Sequence, residues 1–259
     1  VAELSVYILA FNEAGKIRDA IASVAWADDI IVVDSGSTDN TAEIASAMGA
    51  RIVQVPFEGF GRLRNQAIAA CTHAWIFSLD ADERCTPAAH TEIESIISDP
   101  GAADAYYVPR RNFFLGRWIR HGGWYPDYRQ PQLFRRGALE FRDEDEVHEG
   151  FTVHGRVGYM QHAIVQIPYR DLAQLIDKMQ RYSSLGADKL ARRGVRAGLA
   201  SAFLHGLGAF VRIYVLKRGF LDGWAGFVIA LGNFEGTFYR YAKLAERQQQ
   251  LNTPPPPAE

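Results

Sequence analysis

Two carboxylates one residue apart, in Asp80-Ala-Asp82, follow a run as apolar as Trp75-Ile-Phe-Ser-Leu79. One of them can hydrogen-bond a sugar hydroxyl while the other ligates a hard divalent cation. Such cations prefer oxygen donors and bind through one or two carboxylates plus substrate phosphates. A solvated acidic turn is the plainer reading, but the place of the pair at the end of an apolar run argues against it. A second acidic group lies in Val33-Asp-Ser-Gly-Ser-Thr-Asp39. Asp39 and Thr38 fit ordinary helix capping and loop order. Asp34 comes too early for a cap and falls where a strand ends, so its carboxylate is placed to accept from a base N–H or a ribose hydroxyl. Asn12-Glu13 closes a third apolar run, Leu4–Phe11.

The elements that must position these groups are short and alternate. Leu4–Phe11, Ile30–Val33, Arg51–Val55 and Ala74–Leu79 read as strands. Lys16–Val24, Thr38–Met48 and Gly61–Ala70 have helical spacing, and Gly49 closes the second helix. Strand and helix in such steps predict a mostly parallel sheet with helices on both faces. In such sheets ligands bind beyond the carboxyl ends of the strands, and those ends carry Asn12-Glu13, Asp34–Asp39 and Asp80–Glu83.

Composition narrows the class. The 259 residues are 48% hydrophobic and 22% charged, which excludes a mainly disordered chain. The net charge of −2 lacks the basic excess of a dedicated nucleic-acid binder. Cys71 and Cys85 fit neither a disulfide framework nor a zinc site. The opening run lacks the basic segment and apolar core of a signal peptide, so a reduced, cytoplasmic setting is expected.

Together, Ala10-Phe-Asn-Glu13, Val33–Asp39, Arg64-Asn65 and Asp80-Ala-Asp82 resemble the family-two glycosyltransferases with the GT-A fold, over roughly residues 4–168. Within that family, Gly122-Gly-Trp-Tyr-Pro-Asp127, Leu133-Phe-Arg135, Val147-His-Glu149 and Gly219-Phe-Leu-Asp-Gly223 resemble the bacterial lipopolysaccharide inner-core β-1,4-glucosyltransferase group. The resemblance implies a Rossmann-like, GT-A-like mixed sheet. It implies an inverting, metal-dependent transfer of a hexose, glucose, from a nucleoside diphosphate sugar, UDP-glucose, to a lipopolysaccharide-core or other membrane-attached saccharide. Phe11, Asn12 and Glu13 would line the nucleotide pocket, Asp34 would contact uracil or ribose, and Arg64 would lie near the base or diphosphate. Asp80, with Ala81, would bind the ribose or donor sugar, and Asp82 would ligate Mg²⁺ or Mn²⁺. Glu149 would take the acceptor proton, with Asp145 second and His148 orienting the base or touching phosphate. His162 would be an extra metal ligand. Gln132 stands where the resemblance leads one to expect an arginine, so Arg129 or Arg135 would meet the phosphate instead. A polyprenyl-phosphate glycosyltransferase and a non-catalytic nucleotide-sugar-binding membrane scaffold are the alternatives.

Arg110, Arg111, Arg117 and Arg120 are interleaved with Phe113, Phe114 and Trp118. The pattern suits an anionic saccharide acceptor or single-stranded nucleic acid; with no other nucleic-acid motif, the acceptor is preferred. Beyond a catalytic domain at 1–168, residues 169–245 read as a helical region and 246–259, with Pro254–Pro257, as a disordered tail. Between 195 and 243 six basic residues face two acidic ones among many aromatics. That pattern predicts peripheral contact with the inner face of the bacterial cytoplasmic membrane, ahead of packing and self-association into a homo-oligomer and of a membrane-spanning helix at 197–216.

Overall fold

A computed structural model describes residues 3–143 and 150–250. The chain divides into two compact units, 1–111 with 126–167, and 112–125 with 168–259. Segment 112–125, expected in the catalytic domain, thus belongs with the C-terminal helices.

The first unit begins with β1 (Leu4–Ala10), α1 (Ile17–Ala22), β2 (Asp29–Asp34), α2 (Thr41–Ala47), β3 (Arg51–Gln54), α3 (Phe60–Ala70) and β4 (Trp75–Asp80). It continues with β5 (Glu83–Arg84), α4 (Pro87–Ser98) and β6 (Ala105–Tyr107). Strand β7 (Arg110–Phe114) carries the chain into the second unit, where β8 (Arg117–Trp118) pairs with its end. The first unit resumes with β9 (Pro131–Arg135), β10 (Leu139–Phe141), β11 (Phe151–Val153), β12 (Val157–Tyr159) and β13 (Ile164–Tyr169), whose last two residues belong to the second unit. Seven strands form the main sheet in the order β12-β6-β9-β4-β1-β2-β3. Strands β4, β1, β2 and β3 run parallel, and β9 is antiparallel to both β4 and β6. The order reverses at β1, whose neighbours are β2 on one side and β4 on the other, and such a switch point opens a crevice at the carboxyl edge.

Strands β1, β2 and β4 read as near-continuous apolar runs because both faces of the sheet are covered. One face buries Val6, Ile8, Val32, Phe77 and Leu79 among Ile17, Ile21 and Ile93. The other buries Tyr7, Ile31, Val33 and Ile76 with Leu63 and Ala67 of α3. Helix α2 starts at Thr41 rather than at Thr38. Asp39 accepts from the Thr41 amide and hydroxyl, which holds 38–40 in a loop ahead of the helix.

The second unit holds α5 (Leu172–Arg192), α6 (Leu199–Val211) and α7 (Gly223–Gln250). Asp171 caps α5 by accepting from the Gln174 amide at 2.8 Å. A π-helical turn, Arg212–Leu216, extends α6, and a 3₁₀ turn, Gly219–Asp222, leads into α7. Residues 246–249, expected in a disordered tail, are helical. The stretch Leu199–Leu216 is long and apolar enough to cross a membrane by length and composition alone.

Candidate functional site

In the parallel ladder Leu9 of β1 lies opposite Asp80, and Ala10 opposite Asp34. All three strands run the same way, so both aspartates end at one carboxyl edge, flanking the end of β1. Phe11 follows, a residue 55% exposed and so open to stack on a planar ligand. Asn12 takes a left-handed φ of 54°, a turn that asparagine tolerates better than bulkier residues.

The loops beyond these strands are tied together. Asn12 donates its amide to Ser37 Oγ at 2.8 Å and accepts from the Thr38 amide at 2.8 Å. Glu13 and Ala14 donate their amides to Thr41 Oγ1 and Asp39 Oδ2, at 2.8 and 3.1 Å. Burial would raise the Asp39 carboxyl, but the Thr41 hydroxyl, then the Ala14 and Thr41 amides, hold it below the usual range. Asp34 is buried, and its carboxylate accepts from the Ser37 amide and hydroxyl. It orders its own loop here, a use that the sequence reading gave to Asp39 alone.

Past β4 three carboxylates crowd together. Arg64 of α3, itself buried, reaches Asp80 Oδ1 and Ser78 Oγ, both at 3.3 Å. Asp82 accepts from Gln166 Nε2 at 3.2 Å. Burial, then the like charges of Asp80 and Glu83, push its carboxyl up to about 7, while Lys16 and Gln166 pull the other way. Glu83 is sealed from solvent and accepts from the Asp80 amide at 3.0 Å, from Gln132 Nε2 at 2.9 Å and from Arg110 Nε. Gln132 also donates to the Ser78 carbonyl at 3.0 Å, so it braces the end of β4.

Of the two arginines expected to replace it at phosphate, Arg135 sits opposite Trp75, at the far end of β4, stacked over that indole at 4.4 Å. That placement removes it from the carboxyl edge. Arg129 remains: its burial opposes the charge, and Asp127, then Glu83 and Asp80, outweigh that and hold its pKa above the ordinary value. It pairs with Asp127 at 2.7 Å and is half exposed.

Hairpin β10–β11 leads to the expected base. Any Cβ at Gly61 would collide with the Arg142 carbonyl, so glycine lets the hairpin lie directly on α3. Asn65 clasps it, donating to the Phe141 carbonyl and to Asp143 Oδ1, both at 2.8 Å, and accepting from the Phe141 amide at 2.9 Å. The Arg142 amide closes on the Gly150 carbonyl at 2.8 Å. Glu149, Asp145 and His148 lie outside the described residues. His162 Nδ1 lies 2.9 Å from Glu92 Oε2 of α4, so its ring is engaged there rather than on the aspartates.

The arginine-aromatic segment is split between several uses. Arg110 is the buried partner of Glu83, which corrects its expected place at an acceptor. Phe114 is core of the second unit, against Trp124 and Tyr169. Arg120 stacks over Trp118 at 4.1 Å. Sequence reasoning gave no role to Glu83 or Gln166. Glu83 stood in view beside the aspartate pair, whereas nothing marked Gln166.

The donors at the edge of β4 fit a hard divalent cation. Asp80 and Asp82 offer oxygen ligands, and a cation would relieve the like-charge crowding that raises the Asp82 pKa. Among the described residues no group of three or more His, Cys, Asp and Glu side chains stands ready to hold a metal alone. A cation held by one or two carboxylates completes its shell with waters and the oxygens of a phosphate-bearing ligand.

Aspartates at two strand ends beside the switch point stand at the edge where open α/β sheets bind their ligands. Residues 5–163 match Glycosyl transferase family 2, and the chain belongs to that family. It is 28% identical to the lipopolysaccharide core biosynthesis glycosyltransferase LpsC of Rhizobium meliloti, over 94% of this chain and 92% of that protein. An uncharacterized glycosyltransferase of Rickettsia bellii is also 28% identical, over 96% of this chain and 88% of its own length. In fold the chain is similar to the crystal structure of S. aureus TarS 1–349, with a TM-score of 0.50 and 14% identity over 96% of this chain and 91% of that one.

Proposed function

We propose that the protein is a metal-dependent, inverting hexosyltransferase that moves glucose from UDP-glucose to a lipopolysaccharide-core or other membrane-attached saccharide. The observation that carries this is the delivery of Asp34 and Asp80 to one edge of the sheet, with Asp82 crowded against Asp80 and Glu83. Family membership supports the transfer chemistry, and likeness to a lipopolysaccharide core enzyme supports the acceptor class. The enzyme would work at the inner face of the bacterial cytoplasmic membrane, through peripheral contact by 195–243, and a homo-oligomer is compatible with this. Nucleic acid has no part in it.

Asp82, with Asp80, would hold Mg²⁺ or Mn²⁺; the bound ion supplies a Lewis acid at the diphosphate leaving group. Phe11, Asn12 and Glu13 form the wall on which the base rests, and the Asp34–Ser37 loop sets its depth. Arg64 orients Asp80 toward the ribose or donor sugar. Arg129 brings positive charge to the diphosphate as the bond from C1 to the phosphate oxygen breaks. Glu149 accepts the proton of the acceptor hydroxyl as that oxygen bonds to C1 from the opposite face, which inverts the anomeric centre. Thermal shift with UDP-glucose and Mn²⁺, followed by transfer to a lipopolysaccharide-core acceptor, tests the reading. No stabilisation by any nucleotide sugar with either metal, and no turnover, would refute it.

A further inference from the structure

Helix α6 is amphipathic in the wrong sense for a protein surrounded by water. Ala202, Gly206, Ala209 and Ile213 form its buried stripe, and Gly206 lets Phe234 of α7 approach closely. The large residues Leu199, Phe203, Leu204, Leu207, Val211 and Val215 face outward instead, with Leu204 66% exposed. A surface helix of a soluble protein normally turns its bulky apolar stripe inward. The 3₁₀ turn and the start of α7 repeat the inversion: Leu221, Trp224, Phe227 and Leu231 point out while Ala225, Ile229 and Ala230 are buried. Phe227 packs edge-on against Phe210, with centroids 6.0 Å apart, and against Tyr214 at 5.7 Å, which makes the two stripes one surface.

Charge at the border of this surface identifies what covers it. From Lys189 to Leu221 there are seven basic residues and no acidic one. Asp222, the first acid after them, is turned inward, where it accepts from the Arg120 and His121 amides and pairs with His121 Nδ1. Arg192, Arg193 and Arg196 precede the apolar stripe, and Lys217 and Arg218 end it, all exposed. Another copy of this chain would set these cations against each other, whereas an anionic lipid headgroup neutralises them. Crossing the bilayer does not fit either, because α7 runs antiparallel to α6 and carries Glu235, Arg240 and Lys243 along its length, Lys243 bonded to Gln180 and Ser183 of α5.

We infer that the outward face of α6 and the start of α7 lies in the plane of an anionic leaflet, its Leu, Phe and Trp side chains below the headgroups and its arginines among them. This deepens the membrane reading proposed above and rests on it for the use made of the contact. Lipid binding and sugar transfer are therefore measured apart. The full chain is floated with vesicles of phosphatidylcholine alone or mixed equally with phosphatidylglycerol, at low and high salt. The wild type should float with the anionic vesicles and lose binding in salt. Leu204→Glu/Leu207→Glu should weaken binding at least about tenfold, and Arg193→Glu/Arg196→Glu about tenfold on anionic vesicles only. Trp224→Glu serves if the leucine pair fails to fold.

Equal flotation of wild type and leucine variant overturns the proposal, as does indifference to lipid charge. A wild-type dimer that ignores vesicles and is split by the leucine variant also overturns it, and assigns the face to self-association. Selective vesicle binding with no turnover of any nucleotide sugar would leave this inference standing and refute the proposed function instead.

Discussion

Arg110 donates from Nε to Glu83 Oε1, and the two side chains are 1% and 0% exposed. The pair is the ground on which the site stands, because Glu83 also accepts the Asp80 amide. Removing one member of a buried ion pair strands the other, at a typical cost of about 3–5 kcal/mol. Arg110→Met should therefore lower the free energy of urea unfolding by about that amount. The double variant Arg110→Met/Glu83→Leu should recover much of it while losing donor affinity, since the Asp80 amide then has no partner.

Asp82 gives a pH signature. Its folded pKa is about 7, above the usual carboxylate value, so the folded metal-free protein holds a proton that the unfolded chain has lost. Stability contributed by this group is present below about pH 4, falls as pH rises toward about 7, and is flat above. Asp82→Asn removes that loss. The variant should melt a few degrees above wild type at pH 8 without metal, with the gap closing by pH 4 in differential scanning calorimetry. Asp82→Ala should abolish transfer and the Mn²⁺-dependent part of donor binding.

The base assignment separates binding from chemistry. Glu149→Gln should bind UDP-glucose with Mn²⁺ as wild type does and lose transfer by about 10²–10⁴-fold, the usual contribution of a positioned base. Normal turnover by that variant, with loss in Asp145→Asn, would move the role to Asp145. Asn65→Ala should lower kcat with little change in the donor KM, because it unclasps the hairpin that leads to Glu149.

Both thiols are shielded. Burial pushes Cys71 and Cys85 up to about 12, Cys71 with added repulsion from Asp29, so neither is a thiolate at ordinary pH. The folded protein should react with a disulfide reagent at pH 8 far more slowly than the same protein in urea, where both sites titrate.

Strands β1, β2 and β4 can be read in the sequence because each is a mostly apolar run followed by an acid or amide. Those ends mark the carboxyl edge of the sheet. What stayed hidden is long-range pairing of polar groups. Gln166 and Asp82 are 84 residues apart, and Arg110 and Glu83 are 27 apart. A buried charge and a solvated one look alike in a sequence, so Arg110 was grouped with its exposed neighbours. The inversion of α6 was hidden for a related reason: periodicity shows a stripe of large residues but not which side of it the rest of the protein occupies.

The two rungs Ala10–Asp34 and Leu9–Asp80 leave little room for gradual change. Slippage of either neighbouring strand by a single position would turn its aspartate to the opposite face and expose its apolar side chains. A new donor preference must therefore be sought in the connections that leave the ladder, where a residue can be exchanged, added or lost while the rungs stay fixed.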